Sequence, residues 1–584
     1  MSSNEDIGSI FEEMATLLEL TGANGFRVNA HTKVARVVEG LSSDLAEVAR
    51  GEKGLAELQK IDGIGKSSAE KIVAFVATGT VPELEDLRSE VPDGLRTVMQ
   101  VPGLGPKTVR RFWQEASVES LADLEAALDD GRLEALPRMG RKTLDNIRAS
   151  IDFMKSAGDR RRLGDAMPLA ERVVAVMEAV PGMRRVAWAG SLRRGQETIG
   201  DVDILVSTDD PEAASTAFRE QPGVSRVLVA GETKSSVRLE EGIQVDLRVV
   251  PEEVWGATLM YFTGSKDHNV ALRERAIARG LRLNEYGLFP EDDEATPPQQ
   301  RGIAPVAAST EAEIYEALEL PWIPPELRVD RDEFDRPIPG DLVTVEAIRA
   351  ELHSHTTASD GKLSIDELAA AAMAGGREIL AITDHSRSSA QANGLDVDRL
   401  RRHADAIREA DARIDGIRLL AGSEVDIHAD GSLDYEDDVL AMLDVVVASP
   451  HASLRQEPAV ATARLCAAAR HPLVSIIGHP TGRIIGSRKG LEPDIEAVIA
   501  AAIEGGTALE INSNPLRLDL RDIHVRAAVE AGCLISINTD AHRAEHLEFI
   551  RYGVLTGRRG RLEAEGCINT WAPDRLLPWL ARNR

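Results

Sequence analysis

The strongest constraint on this chain is a motif at residues 190–206. It reads Gly-Ser-Leu-Arg-Arg-Gly and, after four more residues, Gly-Asp-Val-Asp-Ile-Leu-Val. Short apolar runs at 185–189 and 204–206 are bounded by glycine, so we predict two strands joined by a turn. Residues two apart in a strand point to the same side, which places the carboxylates of Asp201 and Asp203 together.

Two neighbouring carboxylates repel each other unless a divalent cation lies between them. Taken alone, a DxD pattern is more often a pair of turn aspartates in water. Here Asp246 supplies a third acid from the alternating run 243–249, which we predict to be a neighbouring strand. Gly190 and Ser191 can offer backbone amides and a hydroxyl to an anion, and Arg194 can clamp a phosphate. These are the parts of metal-assisted phosphoryl transfer.

The block resembles the palm of family X DNA polymerases, the relatives of polymerase beta. A second block resembles that family's nucleotide-selecting thumb, and it consists of Tyr261-Phe262-Thr263-Gly264-Ser265, Asn269, Arg273 and Leu283-Asn284-Glu285-Tyr286-Gly287. The resemblance implies gapped or primed duplex DNA and dNTPs as partners. Bulk at Tyr261 and Phe262 would exclude a 2′-hydroxyl, which favours deoxynucleotides.

The resemblance also implies roles for single residues. Asp201 and Asp203 would bridge two Mg²⁺ or Mn²⁺ ions, and Asp246 would help to deprotonate the primer hydroxyl. The implied nucleotide-binding residues are Gly190, Ser191, Arg194, Gly200, Tyr261, Phe262, Gly264, Lys266 and Asn269. Lys266 stands where polymerase beta has an acid. It either reaches the base or the triphosphate, and so tightens nucleotide binding before a template pairs, or is a surface lysine.

The N-terminal part has helical periodicity, with a break at 21–25. Glycine-containing turns at 61–67 and 101–108, and a weaker copy at 139–143, each precede an amphipathic helix. One such turn is more often structural. Repeated turns resemble helix-hairpin-helix elements, whose amides contact the DNA backbone without reading sequence. The predicted DNA-binding residues are Gly63, Gly65, Lys66, Gly103, Gly105 and Lys107.

This region resembles the lyase and fingers parts of family X, and Lys71 matches the lysine that forms a Schiff base with an abasic sugar. The surroundings differ from the family pattern, because His31 replaces a tyrosine and Arg27 and Ser67 replace supporting lysines. A Schiff-base lysine needs a depressed pKa. We therefore keep two interpretations of Lys71: a catalytic residue, or a solvated lysine that contacts phosphate.

Histidines and acids recur at the ends of predicted strands in the C-terminal part, beginning with the HxH of residues 353–355. Helical segments alternate with these strands, as in a (β/α) barrel that builds its site at the strand C-termini. Histidine with carboxylates suits Zn²⁺, Mn²⁺ or Fe better than Ca²⁺.

The pattern resembles the PHP domain, named for polymerase and histidinol phosphatase, a distorted seven-stranded barrel that holds up to three metals. The residues that match its ligand set are His353, His355, Asp360, His385, Glu424, His451, His479, Asp540 and His542. Arg483 and Arg517 are candidates for holding substrate phosphate. Asp384 and Asp426 are either acids that orient ligands or strand-end caps.

The predicted fold class is multidomain, α+β and α/β, with a helical helix-hairpin-helix N-terminal region, a nucleotidyltransferase-type palm and thumb, and a distorted (β/α)7 PHP barrel. The chain of 584 residues is too long for one core. The expected domains are 1–85 lyase-like, 86–155 fingers, 156–250 palm, 251–328 thumb, 329–344 linker and 345–584 PHP.

Composition excludes some classes of protein. The net charge of −28 argues against a uniformly basic coat for nucleic acid, although local arginines and helix amides can still bind DNA. No apolar run approaches the ~18 residues of a membrane span, and the polar start is not a signal peptide. Cys466, Cys533 and Cys567 have no metal-knuckle spacing and are expected to be buried thiols. We expect a cytoplasmic monomer without membrane contact.

The predicted function is gap filling in DNA repair, with 3′→5′ exonuclease activity in the PHP domain. An aqueous metal cluster at a barrel mouth would admit a frayed single-stranded end more easily than a duplex. Abasic-site incision stays open. Two alternatives are a PHP domain that hydrolyses a small phosphomonoester such as histidinol phosphate, and a non-catalytic DNA-end scaffold.

Overall fold

The computed structural model describes residues 4–39, 45–51, 53–61, 63–99, 101, 104–137, 139–157, 160–291, 296–329 and 331–582. The chain forms two compact units. The first comprises residues 1–158 with 486–488, and the second comprises 159–485 with 489–584.

The described part of the first unit is built from helices. They are α1 (Asn4–Thr21), α2 (Gly25–Glu39), α3 (Leu45–Arg50), α4 (Gly54–Leu58), α5 (Lys66–Thr78), α6 (Pro82–Glu90), α7 (Gly94–Met99), α8 (Pro106–Ala116), α9 (Leu121–Asp129) and α10 (Arg141–Ala157). Ile7, Phe11 and Met14 recur at three- and four-residue steps in α1 and are fully buried, which confirms the helical periodicity. The break between α1 and α2 lies at the predicted residues.

The second unit begins with a five-stranded sheet in the order β2-β4-β7-β6-β5. Its elements are β1 (Arg161–Arg162), α11 (Leu163–Glu178), β2 (Met183–Trp188), α12 (Gly190–Arg193), β3 (Thr198–Ile199), β4 (Asp201–Thr208), α13 (Pro211–Glu220), β5 (Val224–Val229), β6 (Lys234–Leu239) and β7 (Gln244–Val249). The two predicted strands around the 190–200 turn are therefore β2 and β4. They pair antiparallel, as a connection this short requires.

The alternation of β4 decides which face carries chemistry. Val202, Ile204 and Val206 are buried in one apolar core together with residues of α11 and α13. Asp201 and Asp203, one step out of phase, therefore point to the opposite face. The core that β4 shares with the helices also contains Leu518 and Tyr552 from the C-terminal part of the chain.

The next elements, in the region predicted to be the thumb, are α14 (Trp255–Thr263), α15 (Lys266–Ile277), β8 (Leu281–Asn284), β9 (Gly287–Pro290) and α16 (Glu311–Ala317). A buried ion network joins α16 to the sheet, because Glu311 accepts two hydrogen bonds of 2.8 Å from Arg193 and one of 2.7 Å from the fully buried Arg328. The predicted linker packs on this region, since Phe334 stacks on His268 with ring centroids 4.7 Å apart.

The C-terminal part is a seven-stranded parallel sheet with its strands in chain order. Its elements are β10 (Ala350–Glu351), α17 (Ile365–Ala374), β11 (Ile379–Ile382), α18 (Val397–Asp411), β12 (Arg418–Asp426), α19 (Asp437–Leu440), β13 (Val445–Ser449), α20 (Pro458–Ala469), β14 (Ile476–Ile477), α21 (Ile495–Gly505), β15 (Ala508–Asn512), α22 (Asp522–Ala531), β16 (Ile535–Asn538), α23 (Ile550–Arg559) and α24 (Pro573–Leu580). A parallel bridge between Ser354 and Ala541 brings the first and last strands together, so the sheet is a nearly closed barrel. The predicted fold class is confirmed.

Side chains from α24 and the segment before it cover part of the barrel interior. Trp571, Leu576 and Leu580 share a core with inward-facing strand residues such as Ala381 and Val447. The strand C-termini are left for polar groups, as in other barrels built from parallel strands. Cys466, Cys533 and Cys567 are free and buried, as predicted. Among the described residues, no helix has both the length and the apolar character needed to cross a membrane.

Candidate active sites

Three carboxylates meet on the face of the five-stranded sheet that lies opposite the core shared with α11 and α13. β4 and β7 run parallel, and their register places Asp203 directly opposite Asp246. Asp201 lies two residues before Asp203 on the same face, so the structure brings the three predicted acids together. Asp246 also accepts hydrogen bonds from Gln244 at 3.1 and 3.2 Å. The sheet itself therefore aligns the acids.

The electrostatics of this triad favour a cation. Burial, followed by the charges of Asp201 and Asp246, raises the pKa of Asp203 to about 7. A carboxyl group with so high a pKa is poorly compensated by the protein around it. A divalent cation would supply the missing positive charge, and oxygen donors suit Mg²⁺ and Mn²⁺. The donor set therefore fits the predicted metals.

The turn between β2 and β4 requires glycine at its start. Gly190 has φ +61°, and a Cβ at this position would lie 2.4 Å from Oδ2 of Asp203. A side chain here would thus displace the carboxylate of Asp203. Ser191 and Gly200 occupy the same turn, and a Cβ on Gly200 would lie 3.1 Å from Arg160.

Arg194 contacts the thumb by a hydrogen bond to the carbonyl oxygen of Thr263. Burial, followed by the nearby charges of Arg559 and Arg328, lowers its pKa to about 10. Its Nε is buried and lacks a hydrogen-bond partner in the described part of the chain. A partly unpaired guanidinium in a cationic setting is suited to a multiply charged phosphate. The neighbouring Arg193 is instead held by Glu311, which leaves Arg194 as the clamp candidate.

The thumb residues lie on the two helices that flank Gly264. Tyr261 and Phe262 form an edge-to-face pair with centroids 5.3 Å apart. Asn269 donates a 2.7 Å hydrogen bond to the carbonyl oxygen of Tyr261, so its amide would have to leave this contact to reach an incoming base. Lys266 is exposed at the start of α15. Its two predicted roles both remain predictions.

The three glycine-containing turns of the first unit share one backbone hydrogen bond. In each, an amide donates to a carbonyl three residues earlier, at 3.0, 3.0 and 3.2 Å, and the donors are Ile64, Leu104 and Met139. Gly65 and Gly105 directly precede α5 and α8, and a Cβ at either would meet no atom within 4 Å. Open space beside helix-start amides permits a close approach of DNA phosphate.

The other predicted DNA-binding residues are placed at the same turns. Gly63 has φ +92°, which favours glycine, and Lys66 and Lys107 are exposed on the first turns of α5 and α8. Gly103 lies outside the described residues. The weaker third copy, at 139–143, precedes α10 in the same way.

Lys71 is not the solvated lysine of the second interpretation. Its side chain is only 13% exposed, and Nζ lies 2.9 Å from Glu83 and donates a 2.8 Å hydrogen bond to Ser67. Glu83 also contacts Arg27, and although burial opposes this, the two cations hold the pKa of Glu83 below its ordinary value. To form a Schiff base, Nζ of Lys71 would have to leave its contacts with Glu83 and Ser67. The catalytic role of Lys71 stays a prediction.

All nine predicted ligands of the PHP pattern converge at the C-terminal end of the barrel strands. Three overlapping groups have ligand atoms within 4.8 Å of one another, and they are His355-Asp360-His385-His542, His353-His355-Asp540 and His385-Glu424-His451. His479 joins them through Nε2, which lies 2.9 Å from Oε1 of Glu424. Shared members make this one cluster with room for more than one cation.

Unpaired buried atoms show that the cluster fits metal ions. Ligand atoms without a hydrogen-bond partner in the described part of the chain are Nε2 of His353, Nδ1 and Nε2 of His355, Nδ1 of His385, Nδ1 of His479 and Oδ1 of Asp540. Several of these atoms face other ligands of the cluster, such as Nε2 of His355 at 3.0 Å from Oδ1 of Asp540, and a cation shared by such a pair would satisfy both. Although burial opposes it, the surrounding histidines hold the pKa of Glu424 well below its ordinary value. An ionised carboxylate therefore lies under the histidines.

A further acid orients the ligands and was missed by sequence reasoning. Glu510 accepts 2.7 Å hydrogen bonds from both Nδ1 of His353 and the backbone amide of His479. Asp426 does the same for His451, with its Oδ1 2.9 Å from Nδ1. The interpretation of Asp426 as an orienting acid is thereby supported. The sequence signal for Glu510 was only its position near the end of a strand.

Asp384 holds the backbone of a loop, whereas Glu510 and Asp426 contact the imidazole rings of ligand histidines. It accepts hydrogen bonds from the backbone amides of Thr356 at 2.9 Å and Ser359 at 3.1 Å, and lies 2.7 Å from Nε2 of His403. The loop it holds carries Asp360. Asp384 therefore positions a ligand through the backbone.

The two predicted phosphate-binding arginines differ in position. Nη2 of Arg483 lies 2.7 Å from Glu197 of the sheet domain and 2.6 Å from the carbonyl oxygen of Leu518. Arg517 is partly exposed, and its charge helps to lower the pKa of the buried ligand His479, after burial itself. Of the two, Arg483 is engaged by Glu197 and Leu518, and Arg517 keeps its predicted role as a prediction.

Profiles of known domain families match most of the chain. They are a helix-hairpin-helix domain at residues 2–81, a SAM-like helix-hairpin-helix tandem at 95–152, the DNA polymerase beta palm at 165–255, the DNA polymerase beta thumb at 258–329 and the PHP domain at 351–514. The palm match contains the three acids, and the PHP match contains most of the metal cluster.

Comparison with known proteins finds one relative that matches the chain end to end and others that match about half of it. DNA polymerase/3′-5′ exonuclease PolX of Bacillus subtilis (strain 168) is 37% identical over 584 residues, which is 99% of each chain. DNA polymerase lambda of Arabidopsis thaliana is 26% identical and aligns with 56% of this chain and 62% of its own. DNA polymerase lambda of Rattus norvegicus is 28% identical over 46% of this chain and 48% of its own. The chain belongs to the family X DNA polymerases that carry a C-terminal PHP domain.

Proposed function

We propose that this chain is a DNA polymerase that fills short gaps during repair, and that its PHP domain is a 3′→5′ exonuclease. One observation carries the proposal: the same chain holds an aligned carboxylate triad and a separate nine-ligand cluster. The relative that matches it end to end is named for both activities. The domain boundaries expected from the sequence and a monomeric state belong to the same proposal.

In the palm, Asp201, Asp203 and Asp246 hold Mg²⁺ or Mn²⁺. Bound divalent cations supply Lewis-acid stabilisation of the charge that develops on the transferred phosphoryl group. Arg194 and the amides near Ser191 orient the triphosphate, and Asp246 accepts the proton of the primer 3′-hydroxyl. Tyr261 and Phe262 exclude a 2′-hydroxyl, and Asn269 contacts the incoming base.

In the barrel, the nine ligands hold up to three ions of Zn²⁺, Mn²⁺ or Fe. Mixed imidazole and carboxylate donors suit these metals. Arg517 binds the phosphate of a single-stranded 3′ end beside the cluster. Arg483 can also bind this phosphate when its guanidinium is not held by Glu197. Orientation of His353 and His451 by Glu510 and Asp426 keeps their ligand nitrogens directed inward.

The test is one assay with two substrates. The purified protein is expected to fill a one-nucleotide gap in duplex DNA with dNTPs and Mn²⁺, and to shorten a primer with unpaired 3′ nucleotides. Histidinol phosphate is included as a competitor. Its turnover without any trimming of DNA would replace the exonuclease proposal by a small-molecule phosphatase. Failure of both DNA reactions would support a non-catalytic scaffold.

The glycine turns give a prediction about DNA binding. Replacing Gly65 and Gly105 together with Val is expected to weaken binding to gapped DNA about tenfold, because the side chains block phosphate from the helix-start amides. Both positions are extended, with φ −79° and −97°, and open, so Val fits the fold. Fluorescence anisotropy measures the affinity.

Gly340→Val is the matched control for this variant. A Cβ at Gly340 also meets no atom within 4 Å, but the residue lies in the linker. Equal affinity of the double variant and the control would remove the glycine turns from the DNA-binding surface. Unfolding temperatures of both variants verify that the fold is retained.

A further inference from the structure

A palm carboxylate is ion-paired with two arginines of the PHP domain. Glu197 lies between Arg194 and Asp201, the phosphate clamp and the first catalytic acid. Its Oε2 is 2.7 Å from Nη2 of Arg483, and its Oε1 is 3.2 Å from Nη2 of Arg521. The carboxylate is one direct contact between the palm and a loop of the barrel.

The backbone at Glu197 is held independently of this carboxylate. Its carbonyl oxygen accepts a 3.0 Å hydrogen bond from the amide of Leu163. A substitution of the side chain therefore leaves this backbone contact of the palm turn in place. This separation makes a side-chain substitution informative.

The loop that Glu197 reaches begins at a metal ligand with an unfavourable backbone. His479 has φ +24°, in the region that residues other than glycine rarely adopt. Such a conformation persists only when the surrounding structure determines it. Its imidazole must nevertheless be accurately placed, because Nε2 lies 2.9 Å from Glu424 at the centre of the cluster.

Three acids hold this loop. Glu510 accepts from the amide of His479 at 2.7 Å, and Asp519 accepts from the amides of Thr481 and Gly482 at 3.0 and 2.9 Å. The third acid is Glu197, which fixes the far end of the loop through Arg483. Two of the acids belong to the barrel, and the third is supplied by the palm.

We propose that Glu197 is a positioning residue for the PHP metal site, so that the palm contributes to metal binding by the exonuclease. The carboxylate holds Arg483, Arg483 fixes the loop, and the loop keeps His479 in its strained ligand conformation. The inference rests on the proposed metal-dependent function of the barrel. It assigns to a polymerase residue a part in the nuclease reaction.

The test measures Mn²⁺ binding directly. The full-length protein is prepared with Asp201→Ala and Asp203→Ala, so that the palm acids do not contribute, and is stripped of metal. Calorimetric titration with MnCl₂ then compares this reference with the same protein carrying Glu197→Gln. We expect the weakest-binding Mn²⁺ of the reference to bind five- to tenfold more weakly in the variant. Exonuclease activity should need correspondingly more Mn²⁺.

Glu171→Gln is the matched control. Glu171 is also a palm carboxylate paired with a PHP arginine, at 2.6 Å from Arg551, but that arginine is not on the His479 loop. We expect this variant to bind Mn²⁺ like the reference. Gap filling by Glu197→Gln, measured with the palm acids intact, should stay within about twofold of the unmutated protein.

The outcomes separate this inference from the function on which it rests. A reference that binds no Mn²⁺ would overturn the proposed PHP site and the inference with it. A reference that binds Mn²⁺ with unchanged affinity after Glu197→Gln would overturn the inference alone. Equal weakening by Glu171→Gln would also overturn it, because the effect would then come from loosening of the palm–PHP contact in general.

Discussion

Asp203→Asn is expected to reduce gap filling by at least about a thousandfold while 3′-end trimming continues. The substitution keeps the shape of the side chain against Gly190 but removes the central charge of the triad. Loss of several kcal/mol of charge stabilisation in the transition state corresponds to a rate change of this size. Incorporation of one labelled dNTP into gapped DNA measures the loss, and trimming of a mismatched primer measures the retained activity.

The same substitution should stabilise the metal-free protein at pH 8. The pKa of Asp203 is raised to about 7, so the folded state binds this proton more tightly than the unfolded state does. Ionisation of Asp203 therefore costs stability as pH rises from about 4 through about 7, and Asn avoids that cost. Thermal unfolding without divalent cations should show a higher midpoint at pH 8 and a smaller difference at pH 5.

Asp209→Asn is the control, because Asp209 directly follows β4 and pairs with Arg184 at the surface. It should change neither gap filling nor the pH dependence of unfolding. Normal incorporation by Asp203→Asn would remove the triad from the reaction. An unfolding midpoint of Asp203→Asn at pH 8 equal to that of the unmutated protein would show that ionisation of Asp203 does not cost stability.

The complementary variant, His353→Ala with His355→Ala, is expected to reduce trimming to below about 1% while gap filling stays within about twofold. Both histidines belong to the group His353-His355-Asp540, so the double change removes two of the three ligands of that group. The palm acids lie on a different sheet and keep their alignment. Primer trimming and gap filling on the same preparation provide the measurement.

Removing two histidines leaves ionised carboxylates buried, which costs stability. A second variant, His355→Gln, keeps a polar side chain and should also lose trimming. His428→Ala with His471→Ala removes two PHP histidines outside the cluster and should trim normally. Trimming that survived the change at His353 and His355, or that disappeared with Asp203→Asn, would place the nuclease elsewhere.

Much of the palm site could be predicted from the sequence because strands have a period of two. Alternation alone put Asp201 and Asp203 on one face, and the run 243–249 supplied a strand with Asp246 in the right phase. The register that sets Asp203 opposite Asp246 needed the structure. Acids and histidines that recur near strand ends indicated a site at one edge of the barrel, and the resemblance to the PHP domain implied which nine residues are its ligands.

Contacts between residues distant in sequence could not be predicted. Lys71 pairs with Glu83, and Arg483 with Glu197, which is 286 positions away. Nothing in either local pattern indicates these partners. For the same reason the sequence indicated phosphate binding at both Arg483 and Arg517, whereas the structure directs the first toward the palm. The sequence showed which side chains can bind a metal or a phosphate, but the residue that each side chain contacts is determined by the fold.

The shared core of the palm and the barrel has a consequence for how the chain is made. Leu518 and Tyr552 are buried among the palm residues that back β4. During synthesis the ribosome releases the palm long before it releases these two side chains. The nascent palm therefore carries an uncovered apolar surface until the last part of the barrel emerges. A transcript broken before codon 518 would yield a polymerase half with that surface exposed, which favours aggregation and proteolysis.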